Sequence, residues 1–284
     1  MALPALDLLA DRGFALTLVG RPWAKDLFAA YPWTVVSLSG ARLERIRVLR
    51  NLQISTGLLL TNSFGTALEF RLAGISATGY ARDARSWLLH RAIEVNAHDH
   101  MVEYYYRIAS ALASTSPTVP RDLRLRISER TRQRAQELLA AHGVGAPYVV
   151  LCPVAVGFHR GKLKAWDGFT RLGSELLAAG MQVIAMPGPN ETAAVRGALP
   201  GATVLPESDV AMFAAVLAGA RLVVANDSGP GHLAAAVGAR LISVFGVTEP
   251  EKTRPWSTRA TLIGSPDGWP AYAEVRSAVD AACA

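Results

Sequence analysis

Residues 222–245, LVVANDSGPGHLAAAVGARLISVF, confine the chain to an α/β fold. Residues 222–225 are a short apolar run with β-branched members, the pattern of a strand buried on both faces of a parallel sheet. The turn Asn226-Asp227-Ser228-Gly229-Pro230-Gly231 stops it, because Gly and Pro punctuate while Asn, Asp and Ser bond to nearby backbone. Small residues at 233–237 continue as a helix, and Gly238 suits its C-terminal stop. Residues 241–245 return as a second strand. A turn that leaves a strand's carboxyl end and opens a helix offers free N–H groups, a natural anion site.

The same alternation runs through the chain. Strand patterns at 14–19, 34–38, 57–61 and 76–80 are separated by helical patterns at 22–30, 43–51 and 66–73, with a helix at 4–10 in front. This predicts an open parallel sheet covered on both faces. A helix at 101–113 follows, then ASTSPTVP at 113–120, a small, polar, proline-containing linker. A helix at 128–142 opens a second series. Its strands are at 148–152, 182–186, 203–205, 222–225, 241–245 and 261–263. Its helices are at 167–179, 192–198, 210–219 and 272–282. The expected domains are 1–120 and 121–284, both Rossmann-like.

Charged residues make up only 18% of the 284, and 51% are hydrophobic, so long disordered stretches are not expected. The net charge of +6 favours an acidic partner, whether phosphorylated ligand, nucleic acid or anionic membrane surface. The arginines are dispersed and no nucleic-acid module is present, which argues against nucleic acid. No apolar run is long enough to span a membrane, and no secretory signal is evident. The two cysteines, Cys152 and Cys283, are far apart, which points to a reducing, cytoplasmic setting.

Three loops gather at the carboxyl ends of second-half strands. Asp227 to His232 could hold an anion on backbone N–H groups, with His232 adding a donor; equally, Asp227 or Ser228 is an ordinary helix cap and Pro230 an ordinary first-turn proline. The loop at 153–166 offers Arg160, Lys162 and Lys164. Residues 157–162 fall short of a phosphate-binding loop, having three residues between the glycines and Leu163 after the lysine. It reads as an anion-binding or merely solvated basic loop. In Pro187-Gly188-Pro189-Asn190-Glu191, Glu191 could accept from a ribose diol or simply favour a helix start. His98-Asp99-His100 fits a cap at Asp99 better than a metal site. Arg82-Asp83-Ala84-Arg85 reads as a basic loop. No G-x-G-x-x-G follows a strand, against a dinucleotide oxidoreductase.

Taken together, these pieces resemble glycosyltransferase family 9, the lipopolysaccharide heptosyltransferases. Asp227, Ser228, Gly229 and His232, then Gly246, Thr248 and Pro250, follow the family signature. Lys164-Ala165-Trp166 matches its Lys-x-Trp, and 187–191 its Gly-rich turn ending in Glu. TNSFGTALEFRLAGISATGYARDARSWLL at 61–89 and the segment His100 to Tyr105 resemble the second heptosyltransferase type.

The resemblance implies a GT-B fold, two Rossmann-like domains with a cleft between them. It also implies inverting transfer of heptose from ADP-heptose to the lipopolysaccharide inner core, with no cofactor and no essential metal. Lys164 would then contact the diphosphate, and Asp227, Ser228 and Gly229 would hold it. His232 would support the turn, and Glu191 would bind the ribose. A basic chain acting on a lipid-linked acceptor is expected at the inner membrane surface. The family's general base is an Asp that follows a first strand, just ahead of the Ala-Leu-Pro-Ala-Leu-like helix that begins at Ala2. That strand and Asp are not in the sequence, so no catalytic residue is assigned, and exposed edges and reduced stability are expected. Two alternatives stand beside transfer. One is a nucleotide-sugar binder without catalysis; the other is a GT-B relative such as an epimerase.

Overall fold

The computed structural model describes residues 1–284 except Ser116, Pro117, Val156, Gly157 and Arg160, and gives only the backbone of Phe158, His159, Lys162 and Leu163. The chain divides into two compact units. The first holds residues 1–25 and 32–120, the second residues 26–31 and 121–284.

In the first unit the order is α1 (Leu3–Asp11), β1 (Thr17–Gly20), α2 (Ala24–Leu27, running across the division), β2 (Thr34–Ser37), α3 (Arg42–Asn51), β3 (Thr56–Leu58), α4 (Phe64–Ala73), β4 (Ser76–Tyr80), β5 (Arg91–Ile93) and α5 (Met101–Leu112). A single 3-10 turn, Ser86–Leu88, precedes β5. The expected single sheet is in two pieces, β1-β2 and β3-β4-β5, each parallel. Among the described residues no ladder joins β1 to β3. The halves share an apolar cover instead: Leu16 before β1 and Leu58 in β3 both pack on Ala5 and Leu9 of α1 and Ala109 of α5. The sequence pattern missed β5 because Arg91 and Ala92 on this edge strand are exposed and carry no apolar alternation. It also placed the α5 cap at Asp99. In the structure His100 caps α5, its Nδ1 accepting from Val102 N at 3.1 Å while its own N–H donates to Glu103. Asp99 is taken by Arg107, two bonds at 2.7 Å.

The second unit runs α6 (Glu129–Ala141), β6 (Tyr148–Cys152), β7 (Phe158–His159), β8 (Lys162–Leu163), α7 (Phe169–Ala178), β9 (Gln182–Ala185), α8 (Thr192–Ala198), β10 (Thr203–Val204), α9 (Val210–Ala218), β11 (Leu222–Asn226), α10 (Gly229–Ala236), β12 (Leu241–Phe245), α11 (Pro250–Thr253), β13 (Ala260–Gly264) and α12 (Tyr272–Cys283). Apart from the small β7-β8 hairpin, its strands form one parallel sheet ordered β10-β9-β6-β11-β12-β13. The central strands are buried and, but for Asn226 and Ser243, apolar, because both faces are covered. Val149 and Leu151 of β6 pack beneath α7 and α12, and Val150 and Cys152 beneath α6, α9 and α10.

Candidate functional site

The sheet order places the site. From β6 the chain winds to β9 and β10 on one side, and from β11 to β12 and β13 on the other. The reversal lies between β6 and β11, the place in an open α/β sheet where ligands enter at the carboxyl ends of the strands.

Asn226, fully buried at the end of β11, ties that place together. Its Nδ2 donates to Pro153 O at 2.9 Å and to Cys152 O at 3.4 Å, and its Oδ1 accepts from Trp166 N at 2.9 Å. The residue read from sequence as a local turn former is thus a long-range bracket. Trp166 is fixed further by stacking on Tyr272, 6.0 Å between centroids, and by donating from Nε1 to Pro270 O at 3.3 Å. Half-buried Lys164 lies two residues before this anchor. The side chains of Arg160 and Lys162, also candidates, lie outside the described residues.

The turn after β11 is no ordinary cap. Asp227 N donates to Val244 O at 3.0 Å, prolonging the β11–β12 pairing, and its buried carboxylate stands 3.8 Å from His232 Nε2. Ser228 occupies the N-cap position in an extended conformation (φ −156°, ψ 177°), yet its hydroxyl does not cap α10; it donates to Asn226 O at 3.2 Å. Ser228 therefore gives no side-chain cap to the Gly229 and Gly231 N–H groups that open α10, which have no intrahelical acceptor. A Cβ on Gly229 would meet nothing within 4 Å.

Glu191 lies past β9 on the same edge. Its Oε2 accepts from Gly188 N at 2.9 Å, closing the turn on itself. Burial first and the Glu191 charge second push the Cys152 thiol up to about 12, so it is no nucleophile at neutral pH. Of the rest of the signature, Gly246 is needed for packing, since a Cβ there would stand 2.1 Å from the Trp269 ring. Thr248 Oγ1 is buried with no hydrogen-bond partner among the described residues. Lys164, Glu191, Asp227, Ser228, Gly229 and His232 all follow carboxyl ends of strands in this sheet. Among the described residues no three His, Cys, Asp or Glu side chains converge as metal ligands.

The first unit holds a polar cluster that sequence reading passed over. Arg85, expected in a basic loop, is fully buried. Its Nε donates to Tyr80 O at 3.1 Å, its Nη1 to Thr61 O and its Nη2 to Asn62 Oδ1 at 3.0 Å. Tyr104 OH donates to the same Asn62 oxygen at 3.0 Å, and Tyr80, stacked on Tyr104 at 3.9 Å, donates from its OH to Tyr104 O at 2.6 Å. Desolvation pulls the Arg85 guanidinium below its ordinary value. Nothing in a linear Arg-Asp-Ala-Arg run signals that one arginine points inward. The clue was its place just after a buried strand.

The fold and sequence have close parallels. The chain is 27% identical to lipopolysaccharide heptosyltransferase 2 of Escherichia coli K12, over 79% of this chain and 69% of that protein. It superposes on the E. coli ADP-heptose lipopolysaccharide heptosyltransferase II structure with a TM-score of 0.79 at 22% identity, covering 99% of this chain and 93% of the other. Against the E. coli heptosyltransferase WaaC with ADP the TM-score is 0.75 at 19% identity, covering 99% and 95%. These are GT-B enzymes, and that is the fold class here. The model of glycosyltransferase family 9 (heptosyltransferase) matches residues 42–279, and the chain belongs to that family.

Proposed function

We propose that the chain transfers heptose, with inversion, from ADP-heptose to the inner core of lipopolysaccharide. The observation that carries this reading is the start of α10 at the switch point, where Ser228 turns its hydroxyl back to Asn226 O instead of capping the helix, beside a Lys164 segment bracketed to it through Asn226. A departing diphosphate gains negative charge. Oriented N–H groups of α10 and the Lys164 ammonium would stabilise that charge, the task a metal ion performs in other transferases. Gly229 leaves room for close approach of a phosphate. Asp227 would hold His232 toward the turn, and Glu191, with Oε2 engaged by Gly188, would offer Oε1 to the ribose. No residue of this chain is assigned as the base.

Work at the cytoplasmic face of a membrane, in peripheral contact, is part of the same reading. Trp87 is 72% exposed, its ring 6.1 Å from that of exposed Phe64, and α3 beside them carries Arg42, Arg47 and Arg50 on its surface. Such amphipathic aromatics with cations suit an anionic lipid surface.

The test is ADP release from ADP-heptose with and without lipopolysaccharide stripped to its inner core, in EDTA. Acceptor-dependent release with a heptosylated product is expected. Product from donor alone would instead favour epimerisation. ADP binding without transfer would favour a binding protein, and no ADP binding would overturn the donor site.

A further inference from the structure

The Arg85 cluster in the first unit closes on itself. Arg85 donates to Tyr80 O and Asn62 Oδ1, Tyr80 OH to Tyr104 O, and Tyr104 OH back to Asn62 Oδ1. It joins the loops after β3 and β4 to α5. Every acceptor that Arg85 uses is a neutral carbonyl or amide oxygen. A fully buried guanidinium with no carboxylate bonded to it, and only the charge of exposed Asp83 acting on it, is costly to maintain. Packing alone would be served more cheaply by an apolar side chain.

The ring has one consequence for chemistry. A guanidinium has only donors, so the Asn62 oxygen must face it, and the amide cannot flip. Two donors on Oδ1 leave Nδ2 turned away from the cluster. Asn62 is half-buried, and no acceptor among the described residues takes its Nδ2 protons. The result is an oriented NH2 group backed by a buried cation. It stands on the loop between the carboxyl end of β3 and the start of α4, the edge where parallel sheets of this kind take ligands.

We infer that Asn62 Nδ2 binds an oxygen of the sugar acceptor, with Arg85 and Tyr104 as positioning residues that hold the amide in its donating orientation. This rests on the transferase reading for the identity of the ligand. The chemistry itself asks for a hydroxyl, carboxylate or phosphate oxygen, and the positive charge behind the amide favours an anionic sugar.

The test uses Asn62→Asp. The variant keeps Oδ1 for Arg85 and Tyr104 and gives Arg85 a counter-charge, but puts an acceptor where the donor was. Three quantities are measured on the full chain: melting temperature, ADP affinity, and affinity for O-deacylated inner-core oligosaccharide. The expected result is unchanged or higher melting, unchanged ADP affinity, and oligosaccharide binding weakened about tenfold to a hundredfold, the loss of one hydrogen bond to a polar group. In turnover the acceptor KM should rise while the donor KM holds. Arg85→Lys, whose compact ammonium lacks the planar fork that spans these three acceptors, should shift acceptor KM in the same sense. Oligosaccharide affinity within twofold of wild type in Asn62→Asp would overturn the inference, as would a wild type that does not bind the oligosaccharide. A wild type that binds it but transfers no heptose would overturn the proposed function and leave the Asn62 result to be read from binding.

Discussion

Asn226→Asp is the sharpest probe of the donor site, because it alters one atom of the bracket. The Trp166 N bond survives, since Oδ1 remains. The donor to Pro153 O and Cys152 O becomes an oxygen facing two carbonyl oxygens at 2.9 and 3.4 Å, in a site with no solvent exposure. Losing the buried bond to Pro153 and leaving its acceptor unpaired costs about 1–3 kcal/mol, and carbonyl repulsion adds to it. A loss of about 2–4 kcal/mol should lower the melting temperature by about 5–15 °C for a unit of this size. Burial disfavours the charged form, so the new carboxyl titrates above its unfolded value. The variant's deficit should therefore grow as pH rises through that range, and shrink in acid, where a protonated Asp again donates. With the 153–166 loop loosened, Lys164 loses its placement and ADP affinity should fall about tenfold or more, the worth of one charge-assisted contact. Calorimetry with ADP and melting curves from pH 4 to 8 measure both. Melting and ADP affinity both equal to wild type would refute the bracket.

Gly229→Ala should fold with an unchanged melting temperature, since its Cβ meets nothing within 4 Å and φ is not left-handed, yet bind ADP more weakly because the methyl occupies the phosphate approach; calorimetry decides. Asp122 is held below the ordinary Asp value of 3.8, foremost by the Thr258 N–H and also by the Thr258 and Ser257 hydroxyls. Its contribution is therefore present above 3.8 and lost as pH falls through the lower folded value. Asp122→Ala should melt a few degrees lower at neutral pH, with the gap closing in strong acid. Cys152, its thiol raised to about 12, should stay unalkylated by iodoacetamide at pH 8 in the native protein and react only after unfolding, which intact mass reads directly.

The sequence by itself determined the alternation of elements and the residues of the turn at 226–231. Both follow from local rules: apolar period, Gly and Pro punctuation, and short polar side chains that stop a strand. It also carried the family signature. Strand order was decided only in three dimensions, because it depends on how each crossover helix packs. That order sets β6 beside β11 and brings Pro153 to Asn226, 73 positions away. Only packing turned Asn226 from a turn former into a bracket, sent the Ser228 hydroxyl back to Asn226 O rather than onto the start of α10, and split the first unit's strands into two sheets. The same holds for Arg85. Its sequence neighbours Ala84 and Ser86 are exposed, but the Tyr80 carbonyl at the end of β4, the Thr61 carbonyl and the Asn62 amide converge on it. A buried cation of that kind is invisible to hydropathy, because its partners exist only once β3, β4 and α5 have met.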